Sequence, residues 1–264
     1  MDHVADRLTE RLRRVRALHQ RSVRRREGRF LVEGPQGARE AVRHAAPAVR
    51  EVLLTPGAAT RYPEIAGFER VQLVTEEVSA ALSADSQGVL AVVDAAAVAT
   101  DEGALAGARL VAVLARVTDP GNAGAVIRAA DAAGADAVVL TAGSVELLNP
   151  KVVRSTAGSL FHLPVLTGAD AAASVAAVRA AGLQVLAADG RGRWDLHALD
   201  GAGAPDLARP TAWLFGTEAQ GLSADERALA DATVRVPVHG LAESLNLATA
   251  ATVCLYESAR VQRA

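Results

Sequence analysis

Residues 110–140 read LVAVLARVTDPGNAGAVIRAADAAGADAVVL, and this stretch decides the fold class. Leu110–Val117 is an apolar strand. The turn Thr118-Asp119-Pro120-Gly121-Asn122-Ala123-Gly124 follows, with Asn122 standing where a helix cap belongs. A helix then runs to about Ala133, and Ala137–Thr141 is a second strand. Continuous apolar strands separated by helices predict an α/β domain whose parallel sheet is covered on both faces. Ligands of such sheets bind beyond the C-terminal ends of the strands, so the loops there are the places to look for chemistry.

Outward toward the C-terminus the alternation continues. Helices are predicted at Lys151–Ser159, Ala169–Ala181 and Ser223–Ala230, and strands at Leu183–Ala188, Thr211–Phe215 and Ala232–Val236. A long helix over Ser244–Gln262 ends the chain. Toward the N-terminus, Leu8, Leu12, Val15 and Leu18 form a helical stripe within Val4–Arg26. Short strands follow at Arg29–Val32, Val49–Leu54, Arg70–Val74 and Val89–Val93, with helices from Gly34–Pro35 to His44 and over Val78–Leu82. The predicted division is a small α/β domain over 1–94, an alanine- and glycine-rich linker over 95–107, and the parallel-sheet domain over 108–264.

The 264 residues are half apolar and 22% charged, enough for a sizeable core. Mean hydropathy is +0.18, yet no apolar run approaches the ~20 residues of a membrane helix, and the N-terminus has no signal-peptide core. Cys254 is the only cysteine, which excludes an internal disulfide and fits a reducing compartment. A soluble cytoplasmic protein is expected. With six scattered histidines and one cysteine, no metal site is expected. No P-loop occurs, and no G-x-G-x-x-G follows a strand.

The net charge of −2 conceals an asymmetry. Residues 1–30 hold ten arginines against four carboxylates, +6, leaving −8 for the remainder. Such an arm, with Arg24, Arg25 and Arg26 at its densest point, suits a polyanion such as RNA. A solvated helix in a chain with a single lysine, Lys151, fits the same numbers.

Three loops after strands carry the polar residues of interest. In the first, Arg128 follows Asn122 by six residues among small and apolar neighbours, where a guanidinium needs an anionic partner or a network. A capping asparagine with a structural ion pair fits equally. The second, Phe215-Gly216-Thr217-Glu218-Ala219-Gln220-Gly221-Leu222, sets two glycines around a carboxylate, allowing close ligand approach. An ordinary turn capped by Ser223 reads the same way. In the third, Val236–Leu247, Ser244 and Asn246 stand in the first turn of the last helix, as caps or as groups facing a shared cavity. His239 reads as a solvated loop residue.

Together the strings DPGNAGAVIRAADAAGADAVVL, WLFGTEAQGLS and VRVPVHGLAESLNLATAATVCLYE resemble the signature of the SpoU (TrmH) family of SPOUT-class RNA methyltransferases, in its order and spacing. KVVRSTAGS resembles the segment that family places after its second strand. RFLVEGPQGAREAV and SQGVLAVV are similar, more loosely, to the ribosomal-protein-L30-like RNA-binding domain that precedes it in many members.

The resemblance implies a SPOUT domain with a deep trefoil knot, S-adenosylmethionine as cofactor, and a homodimer whose active site draws on both subunits. It places the cofactor against Gly216, Val236 and Leu245, with Ala188 a further candidate. It assigns methyl transfer to a ribose 2′-hydroxyl to Arg128, with Asn122, Glu218, Ser244 and Asn246 orienting the groups and Arg154 a further RNA contact. A free guanidinium is too basic to deprotonate readily, so Arg128 is read as stabilising the developing alkoxide. Cys254 is core or interface. The implied substrate is ribosomal RNA of the large subunit. The alternatives are a tRNA 2′-O-methyltransferase, a base-nitrogen methyltransferase and a catalytically inactive RNA-binding protein.

Overall fold

In the computed structural model, which describes residues 4–217 and 219–264, the N-terminal apolar stripe is buried but the helix carrying it is broken. Helix α1 spans Glu10–Ala17 and α2 spans Arg21–Glu27, with Leu12, Val15, Leu18 and Val23 all in one core. The break leaves backbone carbonyls without helical partners, and Arg24 satisfies two of them. Its guanidinium donates to the Leu18 and His19 carbonyls at 2.9 and 2.8 Å and pairs with Glu146. Arg24 is 4% exposed, a buried structural cation and not the RNA contact that charge clustering predicts; Arg25 and Arg26 are exposed.

The chain divides into two compact units. One runs through Ala99 and includes Glu146–His162; the other comprises Thr100–Val145 and Leu163–Ala264. In the first, β1 (Arg29–Glu33), β2 (Val49–Leu54), β3 (Val71–Leu73) and β4 (Val89–Asp94) form a sheet of order β1-β4-β2-β3. Helix α3 (Pro35–His44) packs on β1, β2 and β4, and α6 spans Glu76–Leu82. Between β2 and β3 lie two helices that apolar periodicity does not announce, α4 (Pro56–Arg61) and α5 (Pro63–Ala66). Each starts on a proline, whose fixed φ and missing N–H suit the first helical position.

In the second unit, β5 (Leu110–Leu114) leads into α7 (Pro120–Ala133) and β6 (Ala137–Leu140). The chain then contributes Glu146–His162 to the first unit, against the simple division at 94 and 108. Helix α8 (Pro150–Ser155) in this segment lies on β1. Its Arg154 reaches Glu33 Oε2 at 2.6 Å and Asp85 Oδ2 at 2.7 Å, and the Glu33 side chain is 1% exposed. A carboxylate so buried requires a partner, so Arg154 is occupied within the fold and is not the open RNA contact inferred from sequence.

The remaining elements are β7 (Val165–Thr167), α9 (Ala171–Ala180), β8 (Gln184–Ala188), β9 (Trp194–Asp195), β10 (Thr211–Phe215), α10 (Ala224–Ala228), β11 (Ala232–Arg235) and α11 (Leu247–Gln262). All seven strands of this sheet pair in parallel, in the order β7-β6-β5-β10-β8-β11-β9. Strands β7 and β9 are too short to leave a sequence pattern. Val111, Val113, Val185 and Leu214 pack with Val175 and Val178 of α9. Leu105 and Ala108 join the same core, so the predicted linker is partly folded into it. Helix α11 packs against α7, β5, β8 and β10, and Ser258 Oγ on it accepts a 2.8 Å hydrogen bond from the Trp213 indole. Cys254 is fully buried on this helix, and burial holds its thiol far above the ordinary range, which makes it core and not a nucleophile. Among the described residues no helix is long and apolar enough to cross a membrane.

Candidate active site

The loop after β5 starts with a strained residue. Arg116 has φ +56°, in the left-handed region that costs a non-glycine residue about 1 kcal/mol or more. A bidentate ion pair holds it there: Nε and Nη2 reach Glu226 Oε1 and Oε2 at 2.7 and 2.8 Å. Glu226 also closes the capping box of α10, accepting from the Ser223 N–H at 2.8 Å while its own N–H donates to Ser223 Oγ. This one carboxylate therefore ties the first loop to the element that follows the second.

The hydrogen bond from Arg116, aided by Ser223, brings the Glu226 carboxyl down to about 2. The folded value lies below the unfolded one, so the pair's stabilisation is complete above pH 4.5 and lost as pH falls toward 2. We expect an acid loss on the order of 2–3 kcal/mol from this group, since one pKa unit is about 1.4 kcal/mol and the half-exposed arginine is partly screened. Urea unfolding of wild type and Glu226→Gln between pH 6 and 3 checks this: the difference in stability should shrink as the medium becomes acid.

Helix α7 is capped by Asp119, whose carboxylate accepts from the Asn122 N–H at 2.7 Å. The cap is thus one position before Pro120, not at Asn122 as read from sequence; proline at the first helical position sets the helix start three residues earlier. Asn122 is thereby released for a different contact. Its amide oxygen accepts from Asn246 Nδ2 at 2.9 Å. Asn246 in turn caps α11, accepting from the Ala248 and Thr249 N–H groups. The last helix therefore begins at Leu247, and Ser244 lies in the loop before it, not in its first turn. The Asn122–Asn246 bond pins the first and third loops together across 124 residues of chain.

The second loop folds on itself: Thr217 and Gly221 exchange backbone hydrogen bonds at 3.2 and 2.9 Å. Gly216 lies against this turn so closely that an added Cβ would overlap the Gly221–Leu222 backbone. Glu218 lies outside the described residues.

Between the second and third loops is a cavity of about 610 Å³ beyond the strand ends. Ala188, Gly216, Val236, Ser244 and Leu245 all line it. The N–H groups of Val236 and Leu245 make no backbone hydrogen bond among the described residues. Asp189, Arg235 and Glu243 line it too and escaped the sequence reading. For Asp189 a signal existed, since it directly follows a parallel strand. Arg235 acts from beneath, with Nη1 on the Gly192 carbonyl at 3.0 Å and Nη2 near Asp195. Arg128 is exposed on α7 and has no hydrogen bond or ion pair among the described residues. Helix α7 packs against α11, β5 and β6, and Arg128 lies on the face that these contacts leave exposed.

A family model described as the SpoU rRNA Methylase family matches residues 109–256, the stretch that builds all three loops. The chain belongs to this family. A model of the MRM3-like substrate binding domain matches residues 9–91. A 23S rRNA (uridine(2479)-2'-O)-methyltransferase of Streptomyces viridochromogenes is 40% identical over 148 residues, 55% of this chain and half the length of that relative. The 23S rRNA (guanosine(2553)-2'-O)-methyltransferase RlmP of Bacillus subtilis is 32% identical over 90% of this chain and 92% of its own. Among solved structures, the SpoU methyltransferase AviRb of Streptomyces viridochromogenes in complex with AdoMet is 33% identical, with a TM-score of 0.80 over 97% of this chain and 99% of that one.

Proposed function

We propose that the protein transfers a methyl group from S-adenosylmethionine to a ribose 2′-hydroxyl of 23S ribosomal RNA, in the cytoplasm. The observation that carries this reading is the Asn122–Asn246 bond, which joins the arginine-bearing helix to the loop whose Ser244 and Leu245 line the cofactor-sized 610 Å³ cavity. A relative named for the same reaction over nearly the whole chain supports the substrate.

The cavity fits the cofactor by its donors as well as its volume. The N–H groups of Val236 and Leu245 suit the polar edge of an adenine, and Gly216 keeps side chains out of the floor. When bound, S-adenosylmethionine supplies an electrophilic methyl on a sulfonium centre. Asn122, Asn246 and Ser244, with Glu218, orient the ribose. Arg128 would stabilise the negative charge that develops on the ribose oxygen as its bond to the methyl carbon forms and the carbon–sulfur bond breaks, the hydroxyl proton passing to water. Its exposure in the single chain fits a site completed by a second subunit, as the homodimer of the family would provide. Arg25 and Arg26 extend the grip to RNA phosphates. The trefoil knot belongs to the same reading; the packing of α11 beneath β5, β8 and β10 after β11 supports it.

Incubation of the full chain with methyl-labelled cofactor and either 23S rRNA or tRNA tests this, followed by mapping of 2′-O-methyl nucleotides. A single modified ribose in 23S rRNA is expected. Labelling of tRNA alone overturns the substrate, and RNA binding without transfer overturns the enzyme.

A further inference from the structure

In the first unit, two histidines and a carboxylate converge. Glu40 and His44 are four residues apart on α3, so both project from one helix face. His162 arrives from the segment that follows α8, and the ligand atoms of the three lie within 4.8 Å of one another. His44 Nε2 and His162 Nε2 each stand 3.3 Å from the same atom, Glu40 Oε2. The two imidazoles meet edge to face with centroids 4.9 Å apart.

We propose that Glu40, His44 and His162 form a site for a divalent transition-metal ion of the zinc class. Charge-assisted hydrogen bonds run at about 2.7–2.9 Å, so 3.3 Å is long for two histidines that serve only to hold a carboxylate. It is the right spacing for a shared ion. Zinc–nitrogen and zinc–oxygen bonds of about 2.0–2.1 Å put neighbouring ligands of a tetrahedron about 3.3–3.4 Å apart. Imidazole nitrogen with one carboxylate oxygen is a donor set that suits zinc, nickel or cobalt over magnesium or calcium. His44 is half exposed, which leaves the fourth position open to water.

The scaffold around the cluster is firm. Phe161, next to His162, stacks on Phe30 of β1 with centroids 6.3 Å apart. Gly158, at φ +101°, presses its backbone against the Glu40 stem, where any side chain would collide. Arg43 reaches the other carboxylate oxygen, Oε1, at 3.5 Å and competes for its charge, which tempers affinity without blocking Oε2. A bound ion would clip the 146–162 segment to α3 and so stabilise the first unit.

The test uses the full chain, stripped with chelator and titrated with Zn²⁺ by calorimetry and with Co²⁺ by visible absorption. One ion per chain is expected, with the intense bands of a tetrahedral cobalt centre and a thermal midpoint that climbs with zinc concentration. Glu40→Gln, His44→Gln and His162→Gln should each weaken binding by more than the roughly 10–100-fold that losing an outer-shell partner costs. His197→Gln, elsewhere in the chain, should leave it unchanged. Far-ultraviolet dichroism of the metal-free variants confirms that each is folded. Failure of the folded wild type to bind a stoichiometric ion, or binding as tight as wild type in the three variants, overturns the proposal.

Discussion

Replacing Arg128 with alanine is expected to lower the rate of methyl transfer by roughly 10²–10³-fold, the usual effect of removing one group aimed at developing negative charge. S-adenosylmethionine binding should be unchanged, because Arg128 does not line the cavity. Stability should also hold: an exposed side chain with no hydrogen bond or ion pair among the described residues can be removed at a cost within about 0.5 kcal/mol. Arg128→Lys separates charge from shape. It keeps the cation but loses the planar fork, so partial recovery is expected. Calorimetric titration with the cofactor beside single-turnover transfer gives both readouts, and full activity in Arg128→Ala would remove the residue from the mechanism.

The second large effect is expected at Gly216. Its backbone conformation is ordinary, so the requirement for glycine is purely steric: a Cβ would collide with the Gly221 carbonyl and the Leu222 nitrogen. Both are backbone atoms that cannot rotate away. Gly216→Ala must therefore push the Thr217–Gly221 turn outward and displace the cavity wall. A displacement near 1 Å can cost about 10² in function, and we expect cofactor binding to weaken by about that factor. Gly240→Ala is the matched control, since a Cβ there meets nothing within 4 Å. Equal binding by Gly216→Ala and wild type would show that the turn is not a wall of the cofactor site.

Both expectations concern loops that could be found before any coordinates were known, but not connected. Apolar runs at 110–117 and 211–215 and the turn at 118–124 are local patterns, set by backbone preference and by burial on two faces. What joins them is not local. The Asn122–Asn246 bond spans 124 residues and Arg116–Glu226 spans 110, and no periodicity encodes a pairing between two loops. Even the caps moved. Asp119 displaced Asn122 once Pro120 took the first helical position, and Asn246 displaced Ser244 because its amide oxygen reaches two free N–H groups.

The basic arm makes the same point for charge. Arg24, Arg25 and Arg26 are indistinguishable in sequence, yet Arg24 is buried by a break in a helix whose apolar stripe runs straight through it. Arg154 resembles an RNA contact until Glu33 is seen beneath it. Pairing of a charge depends on what the fold brings opposite, which summed charge does not record.

By itself, then, the sequence determined the parallel α/β class, the three polar loops and their family, because each is written in contiguous residues. Only the tertiary structure decided which arginines are free, where the caps lie, that 146–162 belongs with the first unit, and that His162 meets Glu40 and His44. Those outcomes follow from residues far apart in the chain coming within hydrogen-bonding reach, and burial then makes an unpaired charge too costly to leave in place.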